Sequence, residues 1–272
     1  MAKLSLRMKM KKWHIAILSA VVVLVAVFVA LGIVFEKRND SSKESTSLKN
    51  ETIETKAEKT TVEATTEKKK VVIPDELQGV FSKSEFSEEE LEKSECQQLI
   101  VVDASGESKT VRFFELRENE WCENTECESP VLIGKNGVAE NKKEGDRCTP
   151  LGFYKIGSAF YANEKPDTKL DSFQITEESY WVDDPDSDFY NKYVVGTENK
   201  DWNSAERMIE YNGYRYGFVV DYNVECIKGA GSAIFFHIGS NPTAGCVATS
   251  EEVILKYLSL LDKNKNPYVL IY

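Results

Sequence analysis

The segment His237–Cys246, reading HIGSNPTAGC, holds the residue types that thiol chemistry needs. A thiol becomes a good nucleophile as its thiolate, and a nearby imidazole is the usual acceptor for its proton. The chain has 2 histidines, and the other, His14, lies at the mouth of a long apolar run, so His237 and Cys246 are the one candidate pair. Ala244 and Gly245 precede the thiol with little or no side chain, so a substrate carbonyl can approach the backbone N–H groups around Cys246. Those amides are candidate oxyanion donors for a tetrahedral acyl intermediate. Each residue alone has a plainer reading: a histidine satisfied in an apolar strand, a cysteine in a core or a disulfide. The pairing, with glycine directly before the thiol, is what points to acyl transfer.

The neighbouring elements must bring the pair together. SAIFFHI (Ser232–Ile238) reads as a buried strand with His237 near its end. Gly239, Ser240, Asn241 and Pro242 are turn formers, able to fold Cys246 back towards the imidazole. A helix is predicted over Ser250–Leu261, with Thr249 as N-cap, Glu252 three residues on, and Val253, Ile254, Tyr257, Leu258 and Leu261 as its apolar stripe. Its positive N-terminal end is expected to favour the thiolate. Upstream, QQLIVVDAS (Gln97–Ser105) and TVRFFELRE (Thr110–Glu118) read as a hairpin. FYKIGSAF, YGFVVDYN and the closing PYVLIY read as further strands. YWVDDPDSDFYNKYV (Tyr180–Val194) is rich in Asp, Asn and Pro and reads as irregular surface loops. The expectation is a mostly β domain with a few short helices.

The remainder of the chain reads as a way of placing that domain. Residues 1–14 form a basic arm carrying Lys3, Arg7, Lys9, Lys11 and Lys12. Residues 15–35 (IAILSAVVVLVAVFVALGIVF) are uncharged and mostly aliphatic, long enough to cross about 30 Å of hydrocarbon at about 1.5 Å per residue. The run ends without a small-residue cleavage motif, so an uncleaved single-pass anchor is predicted, with the C-terminal part extracellular. Residues 36–75, Lys, Glu, Thr and Ser with almost no large apolar side chains, read as a disordered linker, and 76–272 as the folded domain. The net charge is −11, and the acidic excess lies beyond the arm and linker, which disfavours nucleic acid as a partner. Of 6 cysteines, Cys122 and Cys127 are spaced to close a short loop, but the connectivity of Cys96, Cys122, Cys127, Cys148 and Cys226 is open. With no second histidine in the domain and no CxxC, no zinc site is expected, and no cofactor.

The stretches IGKNG, EGDRCTPLGFYKI, YWVDDPDSDFYN, DWNSAE, VVDYN, GSAIFFHI and PTAGCVA, in that order across Cys96–Tyr272, resemble the YkuD-type L,D-transpeptidase catalytic domain. The resemblance implies a β-sandwich or barrel whose Cys246 attacks a peptidoglycan stem tetrapeptide, releases D-alanine and passes the acyl group to an amine on a neighbouring stem. It implies His237 as general base, the Ile238 carbonyl orienting its ring, and the amides of Ala244, Gly245 and Cys246 holding the oxyanion. The chain carries a short His-to-Cys insert, Ala244 where better-known members have a second histidine, and Ala248 where they usually have Arg or Asn. A carboxypeptidase on the same stems, or a wall-binding scaffold, are the alternatives. A sortase would need an arginine after the cysteine, and none follows Cys246; an NlpC/P60 peptidase places Cys before His, the reverse of the order here.

Overall fold

In β1 (Gln98–Asp103) every residue but the last is buried, so the strand is covered on both faces. It pairs antiparallel with β2 (Thr110–Arg117), the expected hairpin, in the register Ile100↔Phe113 and Val102↔Val111. Side chains on successive residues point to opposite faces, and the packing follows that rule. Ile100, Val102, Val111 and Phe113 join one apolar cluster, and Leu99, Val101 and Phe114 join another. The computed structural model describes residues 70–272 of the chain. The basic arm, the apolar run 15–35 and all but the end of the linker lie outside the described residues, within which no helix is long and apolar enough to cross a membrane.

The helices supply the two covers. α1 (Asp75–Phe81) and α2 (Glu88–Lys93) put Leu77, Val80 and Leu91 on one face of the sheet. α2 starts in a capping box, the Ser87 and Glu90 side chains each bonding the other's backbone N–H. α3 (Glu251–Leu260) lays Ile254, Tyr257 and Leu258 on the opposite face, with Leu261 just beyond it. A helix of this length is marginal alone; burying each of these side chains contributes roughly 1.5–3 kcal/mol. The predicted cap is off by one residue. Ser250 caps α3 through the Val253 N–H, while Thr249 closes a strand and donates its hydroxyl to the Pro130 carbonyl at 2.9 Å.

The other strands are β3 (Glu120–Glu123), β4 (Ser129–Pro130), β5 (Val138–Ala139), β6 (Thr149–Pro150), β7 (Gly152–Tyr161), β8 (Ser172–Gln174), β9 (Ser179–Val182), β10 (Tyr193–Val195), β11 (Ala205–Arg207), β12 (Tyr216–Val220), β13 (Phe235–Ile238), β14 (Val247–Thr249) and β15 (Tyr268–Ile271). The main sheet has 10 strands in the path β14-β13-β12-β7-β15-β1-β2-β3, with β4 paired to β2 and β8 to β7. The result is mostly β with few helices, as expected. Ahead of α1, the Val72 N–H donates to the Asn119 carbonyl and the Val72 carbonyl accepts from the Trp121 N–H.

One stretch corrects the sequence reading. Tyr180–Val194 is not all surface loop: β9 pairs with β10 and β11 in a small three-stranded sheet. Its Tyr190 is 1% exposed, because the hydroxyl has found the Glu144 carboxylate and the Gly231 N–H. All six cysteines, Cys122 and Cys127 included, are free thiols.

Candidate active site

β13 and β14 run parallel, with Phe236↔Val247 and His237↔Ala248 opposed. Parallel neighbours usually need a crossover of a dozen or more residues. Here Gly239–Cys246 suffices, because the strands are only 4 and 3 residues long. In this register Cys246, one residue before β14, falls level with Phe235, two residues short of His237 along β13. The turn formers of Gly239–Pro242 bring the cysteine back to the groove that His237 lines, in a loop that ends by starting a parallel strand.

Cys246 Sγ sits beside Phe235, whose N–H points at it across 3.3 Å. Phe235 and His237 share one face of β13, about 6.6 Å apart along the strand. The Tyr214 ring packs edge-on against both, at 5.3 Å from Phe235 and 5.0 Å from His237. Thiol and imidazole line one groove of about 610 Å3, with Lys142, Glu206, Tyr214 and Gly245 also in its wall. A larger cleft of about 920 Å3 lies elsewhere, between the α1–α2 connection and β15, and neither reactive residue reaches it.

His237 Nδ1 is 2.8 Å from the Ile238 carbonyl. A carbonyl only accepts, so Nδ1 carries the proton and Nε2 is left with its lone pair. Burial holds the imidazole below its ordinary pKa of 6.5, outweighing the opposing effect of that hydrogen bond. At neutral pH the ring is therefore an uncharged base. Gly213 packs against this hydrogen bond: a Cβ there would lie 2.3 Å from the Ile238 oxygen and 3.1 Å from Nδ1.

The thiol rests protonated. Its S–H donates to the Ala233 carbonyl at 3.2 Å, and the side chain is 5% exposed. Burial, then the Glu206 charge, pushes its pKa up to about 12. The helix expected to help does not: α3 begins beyond the far end of β14, and its first turn carries Glu251 and Glu252. A helix terminus acts within about its first turn, and β14 spans roughly 10 Å. Proton removal therefore falls to a base in the groove.

The loop before the thiol is pinned at several points. The Thr243 N–H bonds the Ile133 carbonyl and its carbonyl accepts from the Lys135 N–H. The Cys246 carbonyl accepts from Thr243 Oγ1 at 2.6 Å and from the fully buried Thr149 at 3.2 Å. Thr149 is held in turn by the Gly134 N–H at 2.8 Å. The three expected oxyanion amides are not equivalent. The Gly245 N–H is spent on Thr243 Oγ1 at 3.1 Å, whereas those of Ala244 and Cys246 have no acceptor among the described residues.

Several groove residues carry no mark in the sequence. The Tyr214 hydroxyl donates to Glu206 at 2.6 Å, and desolvation raises the Glu206 carboxyl to about 7, with the Asp183 and Glu144 charges adding to it. Tyr214 lies in the groove wall. Trp202 is buried against Phe189, and Asn223 holds a turn at φ 51°. Glu206→Gln keeps a partner for Tyr214 and removes a charge that opposes the thiolate. Alkylation of Cys246 by iodoacetamide at pH 8 is expected to rise by up to about tenfold in this variant. At pH 6 the wild-type Glu206 is protonated, so the two rates should converge; a constant ratio across that range would contradict the assignment. The fold also favours protonated Glu206, an advantage full below its ordinary value of 4.5 and lost as pH rises through about 7.

A family model described as the L,D-transpeptidase catalytic domain matches residues 97–269. No curated protein sequence matches the chain. Among solved structures, it is similar to the helical cell shape determining protein Pgp2 from Campylobacter jejuni, at TM-score 0.36 and 16% identity over 64% of this chain and 47% of that one. It is also similar to Bd1075 from Bdellovibrio bacteriovorus, at TM-score 0.36 and 20% identity over 65% of this chain and 48% of that one. The chain spans about half the length of these structures. At these scores the likeness bears on neither activity nor assembly.

Proposed function

The chain belongs to the L,D-transpeptidase catalytic domain family, and from that premise we propose that it is a membrane-anchored, extracellular cysteine acyltransferase acting on peptidoglycan stem peptides. The observation that carries this reading is the shared groove of Cys246 and His237, with Nδ1 committed to Ile238 and Nε2 unspent. The basic arm and the apolar run 15–35 support the anchoring.

In the proposed reaction, a stem tetrapeptide lies in the groove with its terminal peptide carbonyl beside Sγ. Nε2 takes the thiol proton as Sγ bonds to the carbonyl carbon, and the carbonyl π pair moves to oxygen. The Ala244 and Cys246 amides receive that oxyanion. Collapse breaks the C–N bond, and D-alanine leaves with the proton held by His237. A stem amine then attacks the thioester by the reverse sequence and restores the thiol.

Incubating the protein with a tetrapeptide-bearing muropeptide tests this reading. A cross-linked dimer is the expected product. Loss of D-alanine without a dimer identifies a carboxypeptidase, and unchanged substrate contradicts acyl transfer altogether.

A further inference from the structure

The groove holds a buried cation that the reaction just described leaves unused. Lys142 is 6% exposed, with its side chain at 3%. Its stem is clamped by Gly231, where a Cβ would come within 2.8 Å of Lys142 Cε. Nζ meets Asp146 Oδ1 at 2.7 Å. Asp146 is itself held by the N–H groups of Lys143 at 2.7 Å and Cys148 at 2.9 Å, so the pair is built from a rigid side. An ammonium has three N–H donors. One goes to Asp146, and the other two have no acceptor among the described residues. Leaving a buried charge so sparsely partnered is costly, and this one borders the groove beside the nucleophile.

Gly245 places it more closely. A Cβ there would stand 3.2 Å from Nζ and 3.0 Å from the Cys148 carbonyl, at a φ of 156°. Absence of a side chain leaves the ammonium open to whatever sits over the Gly245–Cys246 peptide. The oxyanion would form there, beside the Cys246 N–H, while the Gly245 N–H of the preceding peptide is drawn off by Thr243. Lys142 is also close enough for its charge to favour the thiolate, against burial and Glu206.

We propose that Lys142 is a donor of the oxyanion site: its ammonium hydrogen-bonds the oxygen that becomes negative when Cys246 attacks the donor carbonyl, in place of the Gly245 amide. The inference rests on the acyl-transfer reading above. It makes Lys142 a catalytic residue and Asp146 a positioning residue.

The test compares two reactions of the same thiol. Acylation by a stem tetrapeptide passes through an oxyanion; alkylation by iodoacetamide does not. At saturating tetrapeptide, Lys142→Met should slow acyl-enzyme formation by about 100-fold, the usual loss for one oxyanion donor. Its alkylation rate should fall by no more than about tenfold, the effect of losing one nearby charge on the thiolate fraction. Lys142→Gln gives the same comparison should the methionine variant fold poorly, and native alkylation kinetics report the integrity of the site. Equal slowing of both reactions, an unchanged acylation rate, or a loss confined to KM each overturns the assignment. Wild-type protein that is not acylated at all instead overturns the acyl-transfer reading on which it rests.

Discussion

Cys246→Ala is expected to reduce tetrapeptide turnover by on the order of 10⁴-fold or more. The remaining groove would still bind substrate and still present the Ala244 and Cys246-position amides, so binding should persist while chemistry stops. The variant should fold. Cys246 is packed in a small cluster with Phe235, Tyr214 and Phe160, and alanine removes only the sulfur. Loss of one such group leaves a small cavity, worth about 1 kcal/mol. A carbapenem, whose strained β-lactam carbonyl acylates an activated thiol, should add its mass to the wild-type protein and not to the variant. Labelling that survives the substitution would mean that another nucleophile carries the reaction, and the other five cysteines would then be the candidates.

The second large effect belongs to His237. A positioned general base is typically worth 10²–10⁴ in rate, and here the need is acute, because burial and Glu206 push the thiol up to about 12. His237→Gln should lower acylation within that range. The pH profile separates the base from a merely structural histidine. The ring must be neutral to accept the proton, and burial disfavours its charged form, so the neutral ring persists below its ordinary value of 6.5. The acid limb of the wild-type acylation rate should accordingly have its midpoint below 6.5, apart from any change that follows protonation of Glu206 near 7. In the variant that acid limb should vanish, leaving a rate that climbs with hydroxide towards the thiol's own titration. A wild-type midpoint above 6.5, or an acid limb unchanged in the variant, contradicts the assignment.

The candidate pair, which the structure brings into one groove, could be picked out of the sequence because its parts are contiguous. Ten residues supply thiol, imidazole and backbone donors, and a glycine before a cysteine is a visible signal. The hairpin of β1 and β2 and the helix α3 were legible for a similar reason, since hydrophobic periodicity is local. What surrounds the thiol was not. Thr149 reaches the Cys246 carbonyl across 97 positions, and nothing in EGDRCTPLG distinguishes it from a turn residue. Lys142 reads as one of many surface lysines until Gly231 and Gly245 close over it. Tyr214 and Glu206 become a hydrogen-bonded pair only because the strand β11 and the turn Asn212–Arg215 converge on the groove.

The errors have physical causes too. The polarity of Tyr180–Val194 hid a sheet, because its Asp and Asn side chains are spent on backbone both near and distant in sequence: Asp184 accepts from the Asp186 and Asn203 N–H groups, and Asn191 donates to the Tyr222 and Asn223 carbonyls. The strands between them are too short to show alternation. Thr249 and Ser250 are both competent caps, and sequence alone does not say which is drawn into the strand. The helix end was expected near the thiol because it is near in sequence; an extended strand between them carries it away.

The central claim is that Cys246 forms a covalent acyl-enzyme with a stem peptide, activated by His237. Intact-mass spectrometry of the full chain after rapid mixing with a stem tetrapeptide tests it most directly. The account predicts a transient adduct equal to the donor less its terminal D-alanine, mapped by digestion to Cys246 and discharged by an added stem amine. Release of D-alanine with no adduct at any time, or an adduct on a different residue, would contradict it.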